Sequence, residues 1–196
     1  VIKSALDQLK DWQDQFNPDL FVNINLSARQ FFDRRIVTMV STAIKDSGVV
    51  PETVNFELTE SLLMEDVDKA VGILSALKEM GTGISVDDFG TGHSSMSYLK
   101  QFPVDTIKID KSFVRGLPSD SVDTAIIEAI FALAKSLQLD VVAEGVENEE
   151  QFEFLRAKHC SKVQGYLFSA PVKAKKIDQM LFQNSILTER LEAVGG

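Results

Sequence analysis

Short runs rich in Val, Ile and Phe alternate along this chain with longer stretches in which apolar side chains recur every three or four residues. That alternation is the pattern of repeated βα units. The strand-like runs fall at 21–26, 54–59, 84–89, 106–110, 140–144 and 162–164. Helix starts are predicted where Ser27 precedes Gln30 and Asn148 precedes Gln151 by the three residues of a capping box. Helix stops are predicted at Gly48, at Gly81 and at Phe102-Pro103. The first sixteen residues already have helical spacing, with Leu6, Leu9, Trp12 and Phe16 on one face. No strand precedes them, so 1–16 is expected to be the helix of a first unit whose strand lies ahead of Val1. Residues after Pro171 are expected to form one or two helices, with 183–196 as the last helix and a frayed tail. No linker divides 1–196, which reads as one domain.

A closed barrel of this kind needs eight strands and about 250 residues, and six strand-like runs are present. The face pattern favours a barrel over an open sheet. Strand side chains alternate between faces, and buried parallel strands are normally apolar on both. Here they are not. Val22, Ile24 and Leu26 oppose Asn23 and Asn25; Val54, Phe56 and Leu58 oppose Asn55, Glu57 and Thr59; Ile107 and Ile109 oppose Thr106, Lys108 and Asp110. Ser85 pairs in parity with Asp87, and Val142 with Glu144. Polar groups at the C-terminal ends of several strands meet around one centre only if the sheet curls, and barrel enzymes work at that mouth. The expected fold class is therefore α/β, a (β/α)8 TIM-type barrel lacking its first one or two strands.

Composition narrows the function. The formal charge is −9, with 44% hydrophobic residues, which argues against a duplex-DNA wrapper. No run of about 18 apolar residues offers a membrane span. One cysteine, Cys160, excludes an internal disulfide and a cysteine zinc site, and fits a reducing cytoplasm. The convergent oxygens are Asn25, Glu57, Asp87, Asp88, Asp110 and Glu144, against a single Lys108. So many carboxylates need a compensating cation, and hard oxygen donors suit Mg²⁺ or Mn²⁺. Asp87 and Asp88 would point to opposite faces of a regular strand, so the chain must turn there, and Gly90 and Gly92 permit it. With both carboxylates at one mouth, one could bridge two ions about 3.5–4 Å apart, an arrangement suited to in-line attack on a phosphodiester. Each residue alone has an ordinary explanation as a cap, a salt-bridged strand end or a loop residue. Together they share parity and strand ends.

Six segments carry a resemblance. They begin at Asn23-Ile24-Asn25-Leu26-Ser27-Ala28-Arg29-Gln30, Glu57-Leu58-Thr59-Glu60-Ser61 and Asp87-Asp88-Phe89-Gly90-Thr91-Gly92-His93. The others are Val104-Asp105-Thr106-Ile107-Lys108-Ile109-Asp110-Lys111-Ser112-Phe113-Val114, Val142-Ala143-Glu144-Gly145-Val146-Glu147 and Gln164-Gly165-Tyr166-Leu167-Phe168. In order and spacing the chain resembles the EAL domain of bacterial cyclic di-GMP phosphodiesterases. The resemblance implies a barrel that hydrolyses cyclic di-GMP to linear pGpG with two Mg²⁺ or Mn²⁺ ions. By position it implies Asn25, Glu57, Asp87, Asp88 and Asp110 as metal ligands, with Asp87 bridging. It implies Glu144 as the group that orients or deprotonates the attacking water, and Lys108 as the catalytic group that holds that water and offsets charge developing on the phosphate. Gln164 and Arg29 are implied as substrate contacts, and Glu60 as the anchor of the loop at 90–97, where His93 replaces a common tyrosine. A homodimer through the region after Asp87-Asp88 and an upstream sensory or GGDEF-type domain are implied as partners. The expected location is cytoplasmic, including the cytoplasmic part of a membrane-bound protein.

The tripeptide Glu-Ala-Leu that names the family does not occur; the nearest string, Glu128-Ala129-Ile130, lies in a predicted helix. The missing piece is expected to precede Val1. The enzymatic expectation thus belongs to the complete protein, and the 196-residue stretch alone is expected to be impaired and to associate through exposed edges. The alternative function is a cyclic di-GMP receptor or protein-interaction module.

Overall fold

The computed structural model describes residues 1–91 and 99–183. Its strands are β1 (Val22–Asn25), β2 (Val54–Thr59), β3 (Gly83–Phe89), β4 (Thr106–Ile109), β5 (Asp140–Glu144) and β6 (Lys162–Gln164). They form one sheet in the order β1-β2-β3-β4-β5-β6, every pair parallel. Neighbours in sequence are neighbours in space, which is how a sheet is wound when helices return on one side and the sheet curls.

The helices between are α1 (Ile2–Gln15), α2 (Ala28–Phe31), α3 (Ile36–Ser47), α4 (Glu60–Glu65), α5 (Val67–Glu79), α6 (Lys111–Val114), α7 (Ser121–Leu137) and α8 (Glu149–Ala157). A further helix covers 174–183. The predicted starts hold. The Ser27 N–H donates to Gln30 Oε1 (3.2 Å), while Gln151 N–H donates to Asn148 Oδ1 (2.9 Å) and Asn148 N–H to Gln151 Oε1 (3.3 Å). α3 ends on Gly48 in the left-handed conformation, its N–H on Ile44 O (3.0 Å).

The core lies between the helices and the apolar face of the sheet. Val54, Phe56, Ile84, Ile107 and Ile109 are fully excluded from solvent, with Leu6 and Leu9 of α1 and Leu74 and Leu77 of α5. Burying each such side chain contributes about 1.5–3 kcal/mol, so the apolar parity of the strands fixes which face turns outward to the helices. The other parity is left for the inside of the curl. There Asn55 Nδ2 donates to Ser85 Oγ (2.8 Å) and to Asn23 Oδ1 (3.3 Å), tying β1, β2 and β3 across the concave face.

The architecture is a six-stranded parallel half-barrel with flanking helices. Among the described residues β1 and β6 do not pair with each other. They approach nonetheless, with Lys162 Nζ of β6 4.9 Å from the ring centre of Phe21 beside β1. Trp12 Nε1 of α1 donates to Asp178 Oδ1 in the last helix (2.6 Å), closing the same gap on the outside. The expected loop at 92–97, with His93, and the tail from 184 lie outside the described residues.

Candidate active site

The C-terminal ends of β2, β3, β4 and β5 bring four of the anticipated groups together. Lys108 Nζ donates to Glu57 Oε2 (2.7 Å), Glu144 Oε1 (2.6 Å) and Asp87 Oδ1 (3.1 Å). Lys108 is 3% exposed and Glu57 4%, because each sits on an apolar strand whose other face is core. One ammonium thus faces three carboxylates out of bulk water. Burial works against the charge on Lys108, but hydrogen bonds to Glu144 and Glu57 prevail and hold its affinity for the proton above that of an ordinary lysine. Burial raises the Glu144 carboxyl above its usual range; Lys108 opposes the rise, and the charges of Asp87 and Glu57 add to it. Glu144 is therefore a stronger base than a solvated carboxylate.

Asp88 supplies the turn the sequence requires. Its φ is +54°, a left-handed backbone that Asp tolerates better than most residues, and Gly90 follows at +93°. The register of β3 on β4 shifts between Val86 and Phe89 at this point. The turn thus starts on Asp88 itself, ahead of the glycines. Burial, then the charges of Asp87 and Asp110, raise the Asp88 carboxyl, so these three lie within electrostatic reach of one another. Asp110 also caps α6, accepting from Ser112 N–H (2.9 Å). Burial pushes its carboxyl up, but the Ser112 and Lys111 hydrogen bonds outweigh this and lower it.

The remaining anticipated residues flank this cluster. Asn25 is opposite Glu57 in the β1–β2 register, and Gln164 is opposite Glu144 in the β5–β6 register. Glu60, 9% exposed, accepts from Gly90 N–H (3.4 Å), just after β3. Arg29 is exposed on α2, away from the ion pairs of the cluster. Two contributors escape the pattern of residue types. Lys111 places its charge beside Asp88 and Asp110, and Gly165 allows the chain after β6 to lie against Val146. The Val146 N–H bonds Gln164 O (3.0 Å) and Leu167 N–H bonds Val146 O (3.0 Å). A Cβ at Gly165 would collide with the Val146 backbone. Gly165→Ala is accordingly expected to lower stability by about 1–3 kcal/mol, read as a fall in thermal midpoint; an unchanged midpoint would show that the two segments can part freely.

In the described arrangement the cation between Glu57, Asp87 and Glu144 is Lys108, and no three His, Cys, Asp or Glu side chains of the described residues are set as a ligand group by themselves. The donor set still fits a hard divalent ion. Glu57 Oε1 is buried with no hydrogen-bond partner, an expensive state for a carboxylate oxygen. Five carboxylates (Glu57, Asp87, Asp88, Asp110 and Glu144) share this mouth, and two of them have raised proton affinity through mutual repulsion as well as burial. Oxygen-only donors with excess negative charge are what Mg²⁺ and Mn²⁺ select.

The family model of the EAL domain matches residues 1–171. The chain belongs to the EAL domain family. It is similar to the bifunctional diguanylate cyclase/cyclic di-GMP phosphodiesterase MucR of Pseudomonas aeruginosa, 43% identical over 177 residues, covering 90% of this chain and 26% of MucR. A solved structure of the PaMucR phosphodiesterase in complex with c-di-GMP superposes with a TM-score of 0.86 at 43% identity, over 90% of this chain and 71% of that one. Klebsiella pneumoniae BlrP1 in a manganese/cy-diGMP complex matches at 29% identity with a TM-score of 0.77, over 86% of this chain and 42% of that one. The EAL chain described here thus spans about a quarter of the length of MucR. Among its described residues, no helix is long and apolar enough to cross a membrane.

Proposed function

We propose that this EAL domain, within its whole protein, hydrolyses cyclic di-GMP to linear pGpG with Mg²⁺ or Mn²⁺, two ions to a site. The supporting observation is the buried Lys108 gathered by Glu57, Asp87 and Glu144 with Glu57 Oε1 left unpartnered. The names of the related proteins favour the same substrate and a divalent ion. Asn25, Glu57, Asp87, Asp88 and Asp110 would hold the ions. When bound, such ions supply charge for the phosphate oxygens and acidify water.

The chain's own residues do the rest. Glu144 has one oxygen fixed by Lys108 and a carboxyl of raised basicity, so it accepts the proton of the water that attacks phosphorus. One P–O bond forms as the bond to the ribose 3′ oxygen breaks; solvent water protonates that oxygen as it leaves, and Glu144 returns its proton to solvent. Lys108, ammonium throughout, orients Glu144 and offsets charge growing on the phosphoryl oxygens. Gln164, beside Glu144, and Arg29, on the short helix α2 that follows β1, contact the nucleotide. The domain acts in the cytoplasm, as a homodimer through the region after Asp87-Asp88, under an upstream sensory or GGDEF-type domain. In the complete protein, Mn²⁺ should yield pGpG from cyclic di-GMP and EDTA should stop it. Intact cyclic di-GMP after incubation with Mn²⁺ would overturn the reading.

A further inference from the structure

Gln151 is 4% exposed, one of six buried polar or charged side chains among the described residues, and the two ends of its amide serve different strands. Its Oε1 accepts from Glu147 N–H (2.8 Å) and Asn148 N–H (3.3 Å), in the segment that leaves Glu144. Its Nε2 donates to Arg115 O (3.4 Å), at the end of α6, the helix that Asp110 caps. The Arg115 carbonyl is among those a helix C-terminus leaves without an intrahelical partner. A capping box requires only the first of these two roles. Between the same segments Gly145, at φ +71°, packs directly on Lys111, and Lys108 and Glu144 make their 2.6 Å contact.

We propose that Gln151 is a positioning residue for the phosphodiester hydrolysis. It staples the segment after β4 to the segment after β5 and so sets Glu144 relative to Lys108 and Asp110. The proposal rests on the activity assigned above. Misplacing a reacting group by an ångström costs on the order of 100-fold in rate, and Glu144 is three residues from the stapled Glu147 amide.

Two variants separate the staple from the cap. Gln151→Glu keeps an oxygen for the Glu147 and Asn148 amides but cannot donate to Arg115 O. Asn148→Ala removes the bond from Gln151 N–H to Asn148 Oδ1 and leaves the Gln151 side chain in place. In the complete protein with Mn²⁺, Gln151→Glu is expected to lower kcat about 10- to 100-fold with KM within about twofold. Asn148→Ala is expected to lower the thermal midpoint and keep kcat within about threefold. A Gln151→Glu enzyme with wild-type kcat, or equal kcat losses in the two variants, would overturn the proposal. If Gln151→Glu does not fold, hydrogen exchange decides: the Glu147 amide stays slow in Asn148→Ala if the staple holds it, and is released with the helix start if it is only a cap. That exchange measurement needs no substrate. A wild-type protein inert toward cyclic di-GMP would therefore defeat the assigned activity while leaving the staple separately judged.

Discussion

Lys108→Met is expected to lower the thermal midpoint by on the order of 10 °C at pH 7. The substitution keeps most of the volume and removes the one ammonium facing Glu57, Asp87 and Glu144. Breaking a buried ion pair from one side costs about 3–5 kcal/mol, and a domain of this size shifts by about 2–4 °C per kcal/mol. The loss should depend on pH with a definite sign. Burial already raises the Glu144 carboxyl and Lys108 opposes the rise, so without Lys108 its folded-state proton affinity lies further above the unfolded one. The folded variant then binds more protons than the unfolded chain, so its stability rises as pH falls. The midpoint gap between wild type and variant should narrow from pH 7 to pH 5, and added Mn²⁺ should narrow it at pH 7. A gap under about 2 °C at pH 7 would show that the carboxylates are stabilised by something other than Lys108.

Glu144→Gln is expected to lower kcat by about 10²- to 10⁴-fold, the range for losing a general base, with KM changed by less than about threefold. The amide oxygen can still accept from Lys108, so the fold has no reason to change. It cannot take a proton. Steady-state kinetics in the complete protein, with thermal melting as the control for folding, checks this; an unaltered kcat would remove Glu144 from the chemistry. The two substitutions differ in kind. Lys108 is asked both to hold the site together and to offset charge in the reaction, Glu144 only to act as the base, so only the first should appear in a melting curve.

The six strands were legible because period two is a strong signal when one parity is Val, Ile and Phe and the other Asn, Glu and Lys. Limits differ by a residue where local hydrogen bonding wins over pattern: Asp110 leaves β4 because its carboxylate caps α6, and Phe21 is outside β1 with its ring under Lys162. The convergence of Glu57, Asp87, Lys108 and Glu144 followed from parity and strand ends alone. Other features depend on packing that no local pattern encodes. The left-handed backbone at Asp88, ahead of Gly90, falls at the register shift between β3 and β4. Gly165 looks like any loop glycine until the Val146 backbone is set against it. The Asn148–Gln151 spacing announced a helix start, whereas the reach of Gln151 to Arg115, 36 positions earlier, comes from the packing of α6 beside β5.

Anomalous diffraction at the manganese edge, on crystals of the complete protein soaked in Mn²⁺, tests most directly whether these strand ends form a metal-dependent site. Manganese peaks in contact with Glu57 Oε1 and Asp87 are predicted. Conditions that support pGpG formation yet show no manganese within coordinating distance of Glu57 or Asp87 would contradict it.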